Sequence, residues 1–138
     1  MKYLRILPVC WMVLLSFQSC SSDDNGPQAT FDQLVVVSAD LPASFTLGSL
    51  YDIPITFELP DGCTEYYSFG LTSPTQETRE VAVVGIRTDD GGCTPQIREA
   101  TETLVFQVQF DQTYLFRFWQ GNDAQGNPQY LEIEVPVN

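Results

Sequence analysis

Apolar and polar residues alternate along much of this chain with a period of two. Tyr51, Ile53, Ile55, Phe57 and Leu59 fall on one side while Asp52, Pro54, Thr56 and Glu58 fall on the other, the pattern of a strand that buries one face. Leu104, Phe106, Val108 and Phe110 repeat it, as do Leu131, Ile133, Val135 and Val137. QLVVVS at 33–38, TEYYSFGL at 64–71, REVAVVGIRT at 79–88 and TYLFRFWQ at 113–120 bring the predicted strands to seven. ELPDGC, TSPTQ, TDDGG and GNDAQGN separate them with the Gly, Pro, Asn and Asp that tight reversals require. No stretch carries a 3.6-residue apolar period. Pro54 has no N–H to donate, so its strand is expected at a sheet edge or beside a break in the ladder.

Short strands at this density over residues 30–138 predict one all-β domain, a seven-stranded antiparallel β-sandwich. Asp111-Gln112-Thr113-Tyr114, just ahead of an alternating run, resembles the tyrosine corner of immunoglobulin-like sandwiches. Phe116 stands where antibody-type domains have a cysteine, and Cys63 and Cys93 are too close in sequence for the usual bridge between sheets. The resemblance is therefore to the wider immunoglobulin-like or fibronectin-like class, and it implies a fold without an activity.

The first residues follow a different logic. Lys2 and Arg5 precede an apolar run from Ile6 to Leu15, continued by Phe17, a signal-peptide pattern. At about 12 residues, and interrupted by Pro8, the run is well short of the roughly 20 that span a membrane. It ends Phe17-Gln18-Ser19-Cys20, which resembles the lipobox of bacterial lipoproteins, with Phe17 in place of the usual leucine. The resemblance implies cleavage after residue 19 and acylation of Cys20, a lipid anchor of the palmitate type, followed by a tether over 20–29. Ser21-Ser22-Asp23-Asp24-Asn25 resembles the acidic signal that sends Bacteroidota lipoproteins to the outer face of the cell; a plain solvated tether has the same composition. The stretches Gly48 to Pro54, Leu59 to Cys63 and Phe116 to Gly121 are together similar to small Bacteroidota lipoproteins, a resemblance that brings no activity with it.

Charge narrows the partners. Cleavage removes Lys2 and Arg5 and no acid, leaving four arginines against eighteen acidic residues, a net charge of −14. Such a field repels a phosphate backbone, so no nucleic-acid partner is expected. The mature chain contains neither histidine nor lysine. Catalytic triads, histidine-ligated metals, Schiff-base lysines and P-loops are thereby excluded, and no cofactor is expected. Cys63 and Cys93 remain after the leader and the lipidation site are subtracted. In an exported domain they are expected to pair, stapling DGC at 61–63 to DDGGC at 89–93. Closing a loop of about 31 residues contributes roughly 3.5 kcal/mol on the chain-entropy account.

Three constellations are candidates for chemistry. Trp119 and Arg117 share a parity opposite to Tyr114, Phe116 and Phe118, and with Tyr66 they form a candidate platform for a sugar ring or a partner's apolar group; a tryptophan capping the core is the structural alternative. Asn122, Asp123, Gln125 and Asn127 in one loop, and Asp89 and Asp90 in another, supply oxygens of the kind calcium takes, but at ordinary hairpin spacing, and no metal site is assigned. Glu132 and Glu134 emerge on one face as a glycosidase pair would, or as a solvated outer face, and no enzymatic activity is expected. The resulting expectation is a lipid-anchored, non-enzymatic binding module of the outer membrane with a protein or glycan partner. The alternative is a structural subunit that exchanges strands.

Overall fold

The computed structural model describes residues 28–88 and 91–138. The leader, Cys20 and most of the tether lie outside the described residues, as do Asp89 and Asp90. Among the described residues there are eight strands and no helix: β1 (Ala29–Leu34), β2 (Val36–Ala39), β3 (Leu50–Leu59), β4 (Thr64–Thr72), β5 (Thr78–Thr88), β6 (Arg98–Gln107), β7 (Tyr114–Asn122) and β8 (Pro128–Val135).

They form two packed sheets. The larger has five strands in the order β1-β5-β7-β8, with β4 on the other side of β5; the smaller is β2-β3-β6. The long β5 carries β4 along one edge. Its other edge is shared, with β1 on residues 83–88 and β7 on residues 78–81.

The expectation of seven antiparallel strands is corrected in two respects. The run 33–38 divides at Val35, because Leu34 ends the ladder with β5 while Val36 begins one with β3 in the opposite sheet. The β5–β7 pair is parallel, and a parallel bridge joins Phe45 to Val137. The strand expected over 104–110 instead spans Arg98–Gln107.

The alternating residues meet in one core. Ile53, Ile55, Phe57 and Leu59 of β3 face Val81 and Val83 of β5 and Tyr114, Phe116 and Phe118 of β7, all buried. Each large apolar side chain so enclosed contributes roughly 1.5–3 kcal/mol. Phe45 plugs one end, its ring 4.7 Å from Tyr51 and 5.6 Å from Phe106. Among the described residues Arg79 is the one charged residue in this interior, 5 % exposed. It donates to the carbonyls of Thr75, Gln76 and Thr78 and lies over the ring of Tyr114 at 4.9 Å.

Pro54 sits in the middle strand of the smaller sheet, yet the β2 ladder ends beside it at Ala39↔Ile55. Its carbonyl takes the Asp40 N–H on that side. In an antiparallel ladder a residue's N and O point the same way, so the proline nitrogen also points away from β6, and the β3–β6 ladder loses no bond to it.

Candidate functional site

The outer face of the five-stranded sheet gathers the unusual side chains. Strand β7 buries Tyr114, Phe116 and Phe118 and leaves Leu115, Arg117 and Trp119 half-buried on the opposite side, as their parity requires. The ladder with β8 sets Arg117 opposite Glu132 and Trp119 opposite Tyr130, and the parallel ladder with β5 sets Glu80 opposite Arg117.

Arg117 is therefore held from three sides. Its Nη1 donates to Glu80 Oε1 at 2.5 Å, its Nε donates to Glu132 Oε1 at 3.0 Å, and its guanidinium carbon stands 4.1 Å from the centre of the Tyr130 ring. The charge is neutralised and the side chain is fixed. Because these groups are 29–53 % exposed, each ion pair contributes about 0.2–1 kcal/mol. The network positions groups more than it stabilises the fold.

The same face continues across β5 toward β4 and β1. Gly70 of β4 and Ala82 of β5 stand directly opposite one another and floor a depression of about 200 Å³ edged by Gln33, Thr72, Glu80 and Tyr130. Beyond it, Phe31 and Tyr67 are 56 % and 58 % exposed and pack edge to face at 4.9 Å.

Tyr66, grouped with Trp119 and Arg117 from the sequence, does not join them. It pairs opposite Gly85 on the inner face, where its ring meets Phe69 at 5.1 Å and Phe57 at 5.7 Å. Burial, and then the charge of Glu102, push its phenol pKa up. A bulge between Tyr66 and Ser68 turns Tyr67 outward instead. Tyr130, Glu80, Gln33 and the Gly70–Ala82 pair were missed in the sequence. Tyr130 was findable, since it shares the parity of Glu132 and Glu134.

At the end of the sandwich where the tether enters, Cys63 and Cys93 form a disulfide with Cα atoms 5.3 Å apart. Asp61 organises that corner: Oδ1 accepts from the Cys63 N–H and the Thr64 hydroxyl, and Oδ2 accepts from Arg87 Nε at 2.9 Å. The Thr64 hydroxyl chiefly, then the Cys63 N–H and Arg87, hold its carboxyl below the ordinary value of 3.8.

The other oxygen-rich loop is similarly occupied with itself. Asp123 Oδ1 accepts from the N–H groups of Gln125 and Asn127 at 2.9 and 2.8 Å, and Oδ2 accepts from Asn127 Nδ2. These bonds, that from the Asn127 N–H first, lower its pKa and close the β7–β8 hairpin. Among the described residues no group of three or more His, Cys, Asp or Glu is placed to hold a metal ion. Glu132 is engaged by Arg117, and Glu134 borders a shallow hollow with Glu77, Thr78 and Leu115.

Comparison with known proteins found no family model matching the chain, and no significant match among curated proteins or solved structures.

Proposed function

We propose that this protein is a lipid-anchored, non-enzymatic binding module of the bacterial cell envelope. Cys20 tethers it to the outer membrane, with the domain displayed at the cell surface as an accessory subunit of a larger assembly. The sequence supports the anchor through the charged start, the short apolar run and the cysteine that ends it. The immunoglobulin-like or fibronectin-like class is supported by Tyr114, whose hydroxyl accepts from the backbone N–H groups of Gln109 and Phe110 at 3.0 and 2.9 Å.

One observation carries the binding role. Arg117, pinned between Glu80 and Glu132 and stacked on Tyr130, shares the outer face of the sheet with Trp119, and all three residues are only half-buried there. Aromatic and arginine groups held in place before binding lose little freedom when a partner arrives. Affinity capture of the acylated protein from its own envelope tests this reading, with a Trp119→Ala/Tyr130→Ala variant in parallel. A partner retained by the wild type and lost with the folded variant supports it; equal capture by both overturns it. Intact-mass analysis of the native protein tests the anchor, and surface proteolysis of whole cells tests the display.

A structural subunit using strand exchange is favoured by one feature. The ten-residue β6 pairs only with β3 among the described residues, leaving a long edge for an added strand. Concentration-dependent polymers that survive mild detergent would select this role over the first.

A further inference from the structure

We infer that the depression over Gly70 and Ala82 is a subsite for a single uncharged sugar ring. This rests on the binding role assigned to the outer face and names its ligand class.

The fold does not need a glycine at position 70. Gly70 lies in the body of β4, outside the left-handed backbone region. A Cβ built there would meet Ala82 Cβ at 3.6 Å and the Ala82 carbonyl oxygen at 3.9 Å, ordinary contact distances. Neither backbone conformation nor crowding requires glycine, and glycine weakens a strand interior. What its missing side chain creates is space. With Ala82 directly opposite, the two smallest side chains open a hollow in the outer face of the sheet, as happens where a ligand approaches the backbone.

Size and edge chemistry then limit the occupant. At about 200 Å³ the hollow is smaller than the roughly 300–1,000 Å³ sites that enclose drug-sized ligands, and it suits one six-membered ring lying flat. Gln33 offers both amide donors and a carbonyl acceptor, Thr72 a hydroxyl, and Glu80 a carboxylate, while Tyr130 supplies an aromatic wall. Donors and acceptors of both kinds around an aromatic ring complement the hydroxyls and the C–H face of a pyranose.

Charge excludes the acidic sugars. Arg117, the cation of this face, is already committed to Glu80 and Glu132. Arg79 is turned into the core, and Arg87 pairs with Asp61 near the disulfide end of β5. Arg98 donates to the Thr64 carbonyl, so among the described residues no arginine is placed to face a carboxylate or sulfate in the hollow, and Glu80 would repel one.

The test is calorimetric titration of the acylated, detergent-solubilised protein with neutral oligosaccharides of gluco, manno, galacto and N-acetylglucosamine type. Uronic and sulfated oligosaccharides of equal length serve as the charged comparison. Gly70→Val fills the hollow from one strand and Ala82→Val fills it from the other, so that either folded variant suffices; circular dichroism and the melting temperature report folding. Expected are binding of a neutral series, at least tenfold weakening in the filled variant, and a several-fold loss in Gln33→Ala. Preference for the charged series, or neutral binding unaltered by filling, overturns the inference. Absence of binding to every saccharide overturns it too. In that case envelope capture dependent on Trp119 and Tyr130 leaves the broader binding role standing, and loss of that capture removes both.

Discussion

Tyr114 reaches back from the first residue of β7 to receive the backbone N–H groups of Gln109 and Phe110 on its hydroxyl, while its ring lies under the Arg79 guanidinium. One buried side chain thus ties the β6–β7 connection to the core on both its polar and its apolar side. Tyr114→Phe keeps the ring and strands two donors. The expected cost is about 1–3 kcal/mol, a fall in melting temperature of roughly 4–8 °C per kcal/mol for a domain of this size. Urea unfolding with an unchanged slope checks it; a loss below about 0.5 kcal/mol would mean that water replaces the hydroxyl without penalty.

Opening the Cys63–Cys93 disulfide frees the β3–β4 turn from the β5–β6 loop. Replacing both cysteines with alanine is expected to destabilise by about 2–4 kcal/mol while leaving the strand spectrum intact. The Gly70–Ala82 pair lies further along β5 from the Thr64–Arg87 rung that adjoins this corner, so ligand affinity measured well below the melting temperature should be unchanged. Altered affinity in the double variant would show that the corner reaches the site.

Acid should weaken the fold through two aspartates. Asp61 and Asp123 both have folded pKa values below 3.8. A depressed carboxyl contributes stability that is complete above its unfolded pKa and is lost as pH falls through the folded value. Stability is therefore expected to decline as pH drops from about 4 downward. Asp61→Asn and Asp123→Asn should each flatten that decline. Parallel curves for wild type and variants between pH 5 and pH 2 would refute the assignment.

Arg117→Ala removes two half-exposed ion pairs and the cover on Tyr130. The expected stability loss is about 1 kcal/mol or less, whereas partner binding through the face should fall at least tenfold because Tyr130, Glu80 and Glu132 lose their common support. Arg117→Lys keeps the charge but not the planar fork, and should bind between the two. A large stability loss with unaltered binding would make the network structural.

Much of this architecture was legible because period-two patterning and one-sided burial are the same fact read twice. Tyr51 to Leu59 and Tyr114 to Trp119 took the faces that their parity assigned. What escaped the sequence has physical causes. Leu34 and Val36 are both buried, so the apolar run through Val35 shows no sign that the chain changes sheets there. The first half of β6, Arg98 to Thr103, is polar because only Ala100 there packs against the core, and such a polar run resembles a loop. Two adjacent tyrosines at 66 and 67 carry no information about which turns inward; the bulge in β4 decides it. The hollow at Gly70 was invisible because its partner, Ala82, is set by cross-strand register alone.

The way the chain enters the sandwich has a mechanical meaning. Ala29 pairs with Thr88 beside the stapled loops, and β1 then runs antiparallel to β5 through six rungs to Leu34. A pull on the preceding segment while the domain is gripped from its far side acts along β1, so the rungs are loaded together in shear and not peeled one at a time. A domain built this way resists having its first strand drawn out, because all six rungs must yield at once.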